Sequence, residues 1–159
     1  MIAVITGGRK DELGNFVDGA DAATENTLHI VPNSNRILLV EDDRDSLEAL
    51  FVLLTREGYS VLTASNGQQA LDLLVHGIQP RLLIIDLMLP MVNGADILKH
   101  AQGDPRLRHM PVVVITALSP DEFSVVADVV LQKPIDYAVL LSTVRRLMSA
   151  DEVAPLKRR

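Results

Sequence analysis

Three short runs, "RILLV" (36–40), "RLLIID" (81–86) and "VVVIT" (112–116), are apolar almost throughout. A strand with one wet face alternates apolar and polar residues. A strand that is apolar on both faces belongs to a parallel sheet covered by helices on each side. The intervening segments supply those helices. In "RDSLEALFVLLTREG", Leu47, Leu50, Phe51 and Leu54 fall at i, i+3, i+4 and i+7, one helical face that Gly58 ends. "YSVLTA" reads as a second strand, and Asn66 caps a helix through "GQQALDLLVHG" that Gly77 closes. "GADILKHA" is a helix with Ile97 and Leu98 inward, and "DVVL" a fifth strand. After Pro134, the residues Tyr137, Leu140, Leu141, Val144, Leu147 and Met148 make one apolar stripe on a last helix. The expected fold is α/β: a five-stranded parallel sheet, doubly wound.

A chain of 159 residues with 48% hydrophobic content is one domain with a substantial core. Its formal net charge of −6 argues against nucleic acid or an anionic membrane surface as a partner. The absence of cysteine excludes disulfides, thiol catalysis and Cys-ligated zinc. No apolar stretch approaches the ~20 residues of a membrane span, and the N-terminus lacks the form of a secretion signal. A soluble cytoplasmic protein without membrane insertion is the expectation. Residues 1–34 hold four of the nine glycines and no sustained period, so they read as a flexible arm, with a possible short strand at 2–5, dispensable for folding. Residues 35–150 form the domain, and 151–159 a charged tail.

In an open α/β sheet, ligands bind at the carboxyl ends of the strands. The first strand ends at Glu41, Asp42 and Asp43, the third at Asp86, the fourth at Thr116, and the fifth just before Lys133 and Pro134. Parallel strands bring these groups to one edge. Crowded carboxylates repel unless a cation joins them, and an all-oxygen set suits Mg²⁺. With Lys133, such a site could accept a phosphoryl group on Asp86. Asp43 and Asp45 are better read as acids at a helix N-terminus. His29, His76, His100 and His109 have no ligand spacing and read as solvated surface residues.

The motifs "ILLVEDD", "LLIIDLMLPMVNG", "PVVVITA" and "LQKP", in this order over roughly residues 36–148, resemble response-regulator receiver domains of two-component signalling. The resemblance implies a flavodoxin-like receiver fold. It implies Asp86 as phosphoacceptor, with Thr116 bonding the phosphoryl oxygen and Lys133 pairing with the phosphate. Mg²⁺ would be held by Asp86, by Asp42 directly, by Glu41 through water, and by the backbone carbonyl of Met88. Pro90 and Gly94 fit the turn after the acceptor strand. The implied partners are a sensor histidine kinase or histidine phosphotransfer protein and a downstream protein target. No enzymatic activity is implied beyond the receiver's own phosphoryl transfer and dephosphorylation.

A haloacid-dehalogenase-like phosphatase would want a second acid two residues after Asp86, where this chain has Met88, and no G-x-x-x-x-G-K-[ST] loop occurs. The competing reading is a pseudo-receiver that binds protein without being phosphorylated. Two departures from the family pattern bear on output. The Thr116–Lys133 segment is shorter than usual by about five residues, nearly one and a half helical turns. The fourth helix should therefore be shortened or absent, at most a short helix in "PDEFSVVA". The position usually held by an aromatic, three before Lys133, is Val130, which is short and stiff at χ1. Only eleven residues follow residue 148, so a stand-alone receiver is expected.

Overall fold

The computed structural model describes residues 35–119 and 122–149. The elements in chain order are β1 (Arg36–Val40), α1 (Arg44–Arg56), β2 (Ser60–Ala64), α2 (Gly67–Val75), β3 (Leu82–Asp86), α3 (Gly94–Gly103), β4 (Val112–Thr116), β5 (Val129–Gln132) and α4 (Tyr137–Ser149). The expected arm at 1–34 and tail at 151–159 lie outside the described residues. All strand pairs are parallel, in the order β2-β1-β3-β4-β5. The switch point lies between β1 and β3, where α/β folds open their binding crevice.

The three apolar runs occupy the three central strands, as burial on both faces requires. Leu38, Val40, Leu83, Ile85, Val112 and Val114 face a core shared with α2, α3 and the 117–127 connection. Ile37, Leu39, Leu82, Ile84, Val113 and Ile115 face the opposite core under α1 and α4. The helix signals act as read. Asp43 caps α1 through Ser46 N–H at 2.9 Å and Asn66 caps α2 through Gln69 N–H at 2.9 Å; Asn93, not singled out in the sequence, caps α3 through Asp96 N–H at 2.9 Å. The bonds from Ser46 also hold the Asp43 carboxyl below its ordinary pKa.

Three expectations need correction. Phe51 and Tyr137, placed on buried stripes, are exposed, while Leu50, Leu54, Leu140, Val144 and Met148 form the actual helix seams with the half-buried Leu47, Leu141 and Leu147. The fifth strand begins at Val129 rather than Asp128. Asp128 instead locks the strand entry: its carboxylate accepts Val112 N–H at 2.8 Å and its own N–H donates to Val112 O at 3.0 Å. His100 is half-buried rather than a fully solvated surface residue, with its Nε2 buried and lacking a hydrogen-bond partner among the described residues.

The β4–β5 connection agrees with the expected shortened or absent fourth helix, since the described residues contain no helix between β4 and β5. Glu122 N–H closes a single turn onto Ser119 O at 2.9 Å. Beyond it, Phe123, Val125 and Ala127 pack against the core while Ser124 and Val126 face solvent. This burial period of two is that of an extended chain. The connection crosses the α3 side of the sheet as a strap, with Val126 74% exposed.

Candidate functional site

The strand ends carry the expected groups to one edge of the sheet. Asp86 closes β3 and is 5% exposed, Glu41 follows β1 at 2%, and Thr116 closes β4 at 0%. Lys133 follows β5, and its N–H donates to Thr116 O at 2.9 Å, so backbone pairing sets the start of the lysine side chain. Its Nζ lies 2.5 Å from Asp86 Oδ2 and 2.8 Å from Glu41 Oε2. A carboxylate buried to this degree is costly unless paired, and here one ammonium pairs with two. Burial pulls the Lys133 pKa down, and the hydrogen bonds and charges of Asp86 and Glu41 outweigh it, leaving it above the ordinary lysine value.

Asp42 is exposed at the rim. Carboxylate oxygens of Glu41, Asp42 and Asp86 lie within 4.8 Å of one another. Three carboxylates at that spacing form a hard, all-oxygen donor set that fits a small divalent cation. The remaining Glu41 oxygen accepts Asp43 N–H at 3.2 Å, which ties the acidic cluster to the start of α1. Asp86 Oδ1 accepts Met88 N–H at 2.8 Å, which orients the carboxylate and turns the chain at the strand end. Thr116 Oγ1 accepts Leu118 N–H at 3.1 Å, leaving its hydroxyl proton available to a new acceptor.

The turn after β3 depends on two close approaches. A Cβ on Gly94 would stand 2.4 Å from Asp86 O and 2.8 Å from Leu87 Cα, so only glycine lets α3 start against the strand end. A Cβ on Gly67 would stand 1.7 Å from Val92 O. The Gly67 N–H also donates to Pro90 O at 3.3 Å, pinning the 87–93 turn to the start of α2. Gly67 was not a sequence-predicted site residue. Neither was Gln132, whose side-chain Nε2 donates to Leu118 O at 3.1 Å beside Thr116.

The sequence matches the response regulator receiver domain model over residues 37–145. The chain belongs to the response-regulator receiver family. The transcriptional regulatory protein CpxR of Escherichia coli (strain K12) is 38% identical over 119 residues, 72% of this chain and 49% of CpxR, so the chain spans about half the length of that relative. The response regulator PleD of Caulobacter vibrioides (strain NA1000 / CB15N) is 37% identical over 119 residues, 72% of this chain and 26% of PleD. Among solved structures, the signal receiver domain of a signal transduction histidine kinase from Syntrophus aciditrophicus superposes with a TM-score of 0.69 at 31% identity, covering 79% of this chain and 98% of that one.

As a receiver, the protein departs from the usual plan where its sequence does. Val130 holds the aromatic position on β5 and is 42% exposed. The strap stands where receivers carry a fourth helix. No helix among the described residues is long and apolar enough to cross a membrane.

Proposed function

We propose that this receiver is a phospho-accepting response regulator, phosphorylated on Asp86 with Mg²⁺ as cofactor, and that the modification switches its protein–protein interactions. The observation that carries the reading is the single ammonium of Lys133 shared between Asp86 and Glu41, with Asp42 completing the acidic set. In the assigned roles, Asp86 Oδ attacks the phosphorus of a phosphohistidine or small phosphodonor, the phosphorus–leaving-group bond breaks, and the donor departs with its electron pair. Asp86, Asp42 and the Met88 carbonyl, with Glu41 through water, would hold Mg²⁺, which would supply positive charge beside the phosphoryl oxygens. Lys133 moves from resting partner of the carboxylate to partner of the phosphoryl group, and the Thr116 hydroxyl donates to a phosphoryl oxygen.

The donor is a sensor histidine kinase or histidine phosphotransfer protein, and the receiver catalyses only its own phosphoryl gain and loss. The output is a shift of residues 117–127, since Val130 is too short to act as a rotating lever. Hydrogen exchange with and without a phosphoryl mimic at Asp86 tests the reading. Altered protection in 117–127 on mimic binding is expected. No change anywhere, together with no phosphoryl uptake, would make the protein a pseudo-receiver that binds partners constitutively.

A further inference from the structure

A closed ring of hydrogen bonds joins the ends of β4 and β5. Thr116 and Gln132 are register partners across the two strands. The Thr116 carbonyl accepts Lys133 N–H at 2.9 Å, its Oγ1 accepts Leu118 N–H at 3.1 Å, and Leu118 O accepts Gln132 Nε2 at 3.1 Å. The backbone between Thr116 and Leu118 is thus held at one end by the strand ladder and at the other by a side chain from the neighbouring strand. A second brace reaches the same planar peptide group from its other side, where Glu122 Oε2 accepts Ser119 N–H at 2.6 Å, so Gln132 and Glu122 together hold the Leu118–Ser119 peptide.

We infer that Gln132 is a positioning residue for Thr116: by holding the Leu118 carbonyl, its amide fixes the Leu118 N–H under the Thr116 hydroxyl and sets the resting orientation of that hydroxyl. The inference deepens the proposed phosphoryl switch and rests on that reading for its functional consequence. For Thr116 Oγ1 to turn toward an oxygen on Asp86, either the Leu118 N–H must lose its acceptor or the 117–119 turn must follow. With Leu118 O clamped, the turn resists following. Without the clamp, it follows at less cost. The clamp therefore biases the receiver toward its resting state, and its loss favours the phosphoryl-bound state. One neutral hydrogen bond at an exposed site corresponds to a change of roughly 2- to 10-fold in an equilibrium constant.

The test uses the full chain and two kinds of variant at one position. Gln132→Leu keeps a mid-sized aliphatic side chain and removes the donor, and Gln132→Lys restores a donor able to reach Leu118 O. In the unphosphorylated protein, Gln132→Leu should speed hydrogen exchange of the Leu118 amide roughly 2- to 10-fold. It should also average the three-bond couplings that report Thr116 χ1, and Gln132→Lys should return both toward wild type. Gln68→Leu, which removes a glutamine side-chain donor from an exposed hydrogen bond on α2, is the comparison and should leave the Thr116 couplings in place. Unchanged Thr116 couplings in Gln132→Leu, or an equal change in Gln68→Leu, would overturn the inference.

This arm needs no phosphoryl group and decides the role of Gln132 even if Asp86 is inert, a failure that shows separately as no mass gain in wild type. With beryllium fluoride and Mg²⁺ as the phosphoryl mimic, Gln132→Leu should bind roughly 2- to 10-fold more tightly than wild type. Equal or weaker binding contradicts the inference.

Discussion

Lys133 Nζ sits 2.5 Å from Asp86 Oδ2, across 47 residues of chain, and reaches Glu41 Oε2 at 2.8 Å from the same position. The lysine is thus the resting counter-cation of the acidic cluster. Lys133→Met should leave two buried carboxylates without their cation and destabilise the fold by roughly 1–3 kcal/mol, the cost of stranding buried polar groups. Mg²⁺ should recover more stability in this variant than it adds to wild type. Denaturant midpoints with and without Mg²⁺ check this, and equal increments in both proteins would show that the ion does not enter the cluster.

The two acids after β1 differ in setting, Asp42 lying in the cluster and Asp43 capping α1. Asp42→Asn should weaken Mg²⁺ binding more than Asp43→Asn, whereas Asp43→Ala should affect helix stability more than Asp42→Ala. Metal titration of the two asparagine variants separates them, and the reverse order would reassign the cap and the ligand.

Gly94 and Gly103 open and close the same helix with opposite demands. Gly94→Ala drives a Cβ to 2.4 Å from backbone, so destabilisation of about 1–3 kcal/mol is expected. Gly103→Ala meets nothing within 4 Å and should be neutral or stabilising by up to ~1 kcal/mol. Gly67→Ala, whose Cβ would fall 1.7 Å from Val92 O, should also displace the 87–93 turn and slow phosphoryl uptake. Thermal melts of the three variants with uptake rates are the check.

The outer surface has a separate pH signature. The side-chain hydrogen bond from Arg106 lowers the Asp104 carboxyl to about 2. A carboxyl depressed on folding contributes stability above its unfolded pKa, about 3.9, and loses it as pH falls toward the folded value. Lys133 is shifted the other way, upward, so its contribution is complete at neutral pH and is lost only as pH rises past its folded pKa, above 10.5. A carbon-detected titration of Asp104 with a midpoint near 4 would contradict the first assignment.

Much of this architecture is legible in the chain because its signals are local. Ile84, Ile85 and Val114 announce central strands by unbroken apolar runs, and Asn66 announces a helix start. Phe51 and Tyr137 show where periodicity stops: it sets the phase of a helical stripe but not its width, and both lie past the edge. "PDEF" reads as a helix start, yet the alternation of Phe123, Val125 and Ala127 already carried the period of two that the strap adopts. Asp86, Thr116 and Lys133 were readable as strand-end groups because parallel pairing converges such ends. Gly67 and Gln132 were not, because what matters about each is a single backbone carbonyl on a distant segment, Val92 O and Leu118 O.

The central claim is that Asp86 is the phosphoacceptor, and intact mass after incubation with a small phosphodonor tests it most directly. Wild type with Mg²⁺ should gain the mass of one phosphoryl group. Asp86→Asn should gain none, and removal of Mg²⁺ should suppress the gain in wild type. Equal labelling of Asp86→Asn, or a wild type that stays unmodified while binding Mg²⁺, would contradict the account.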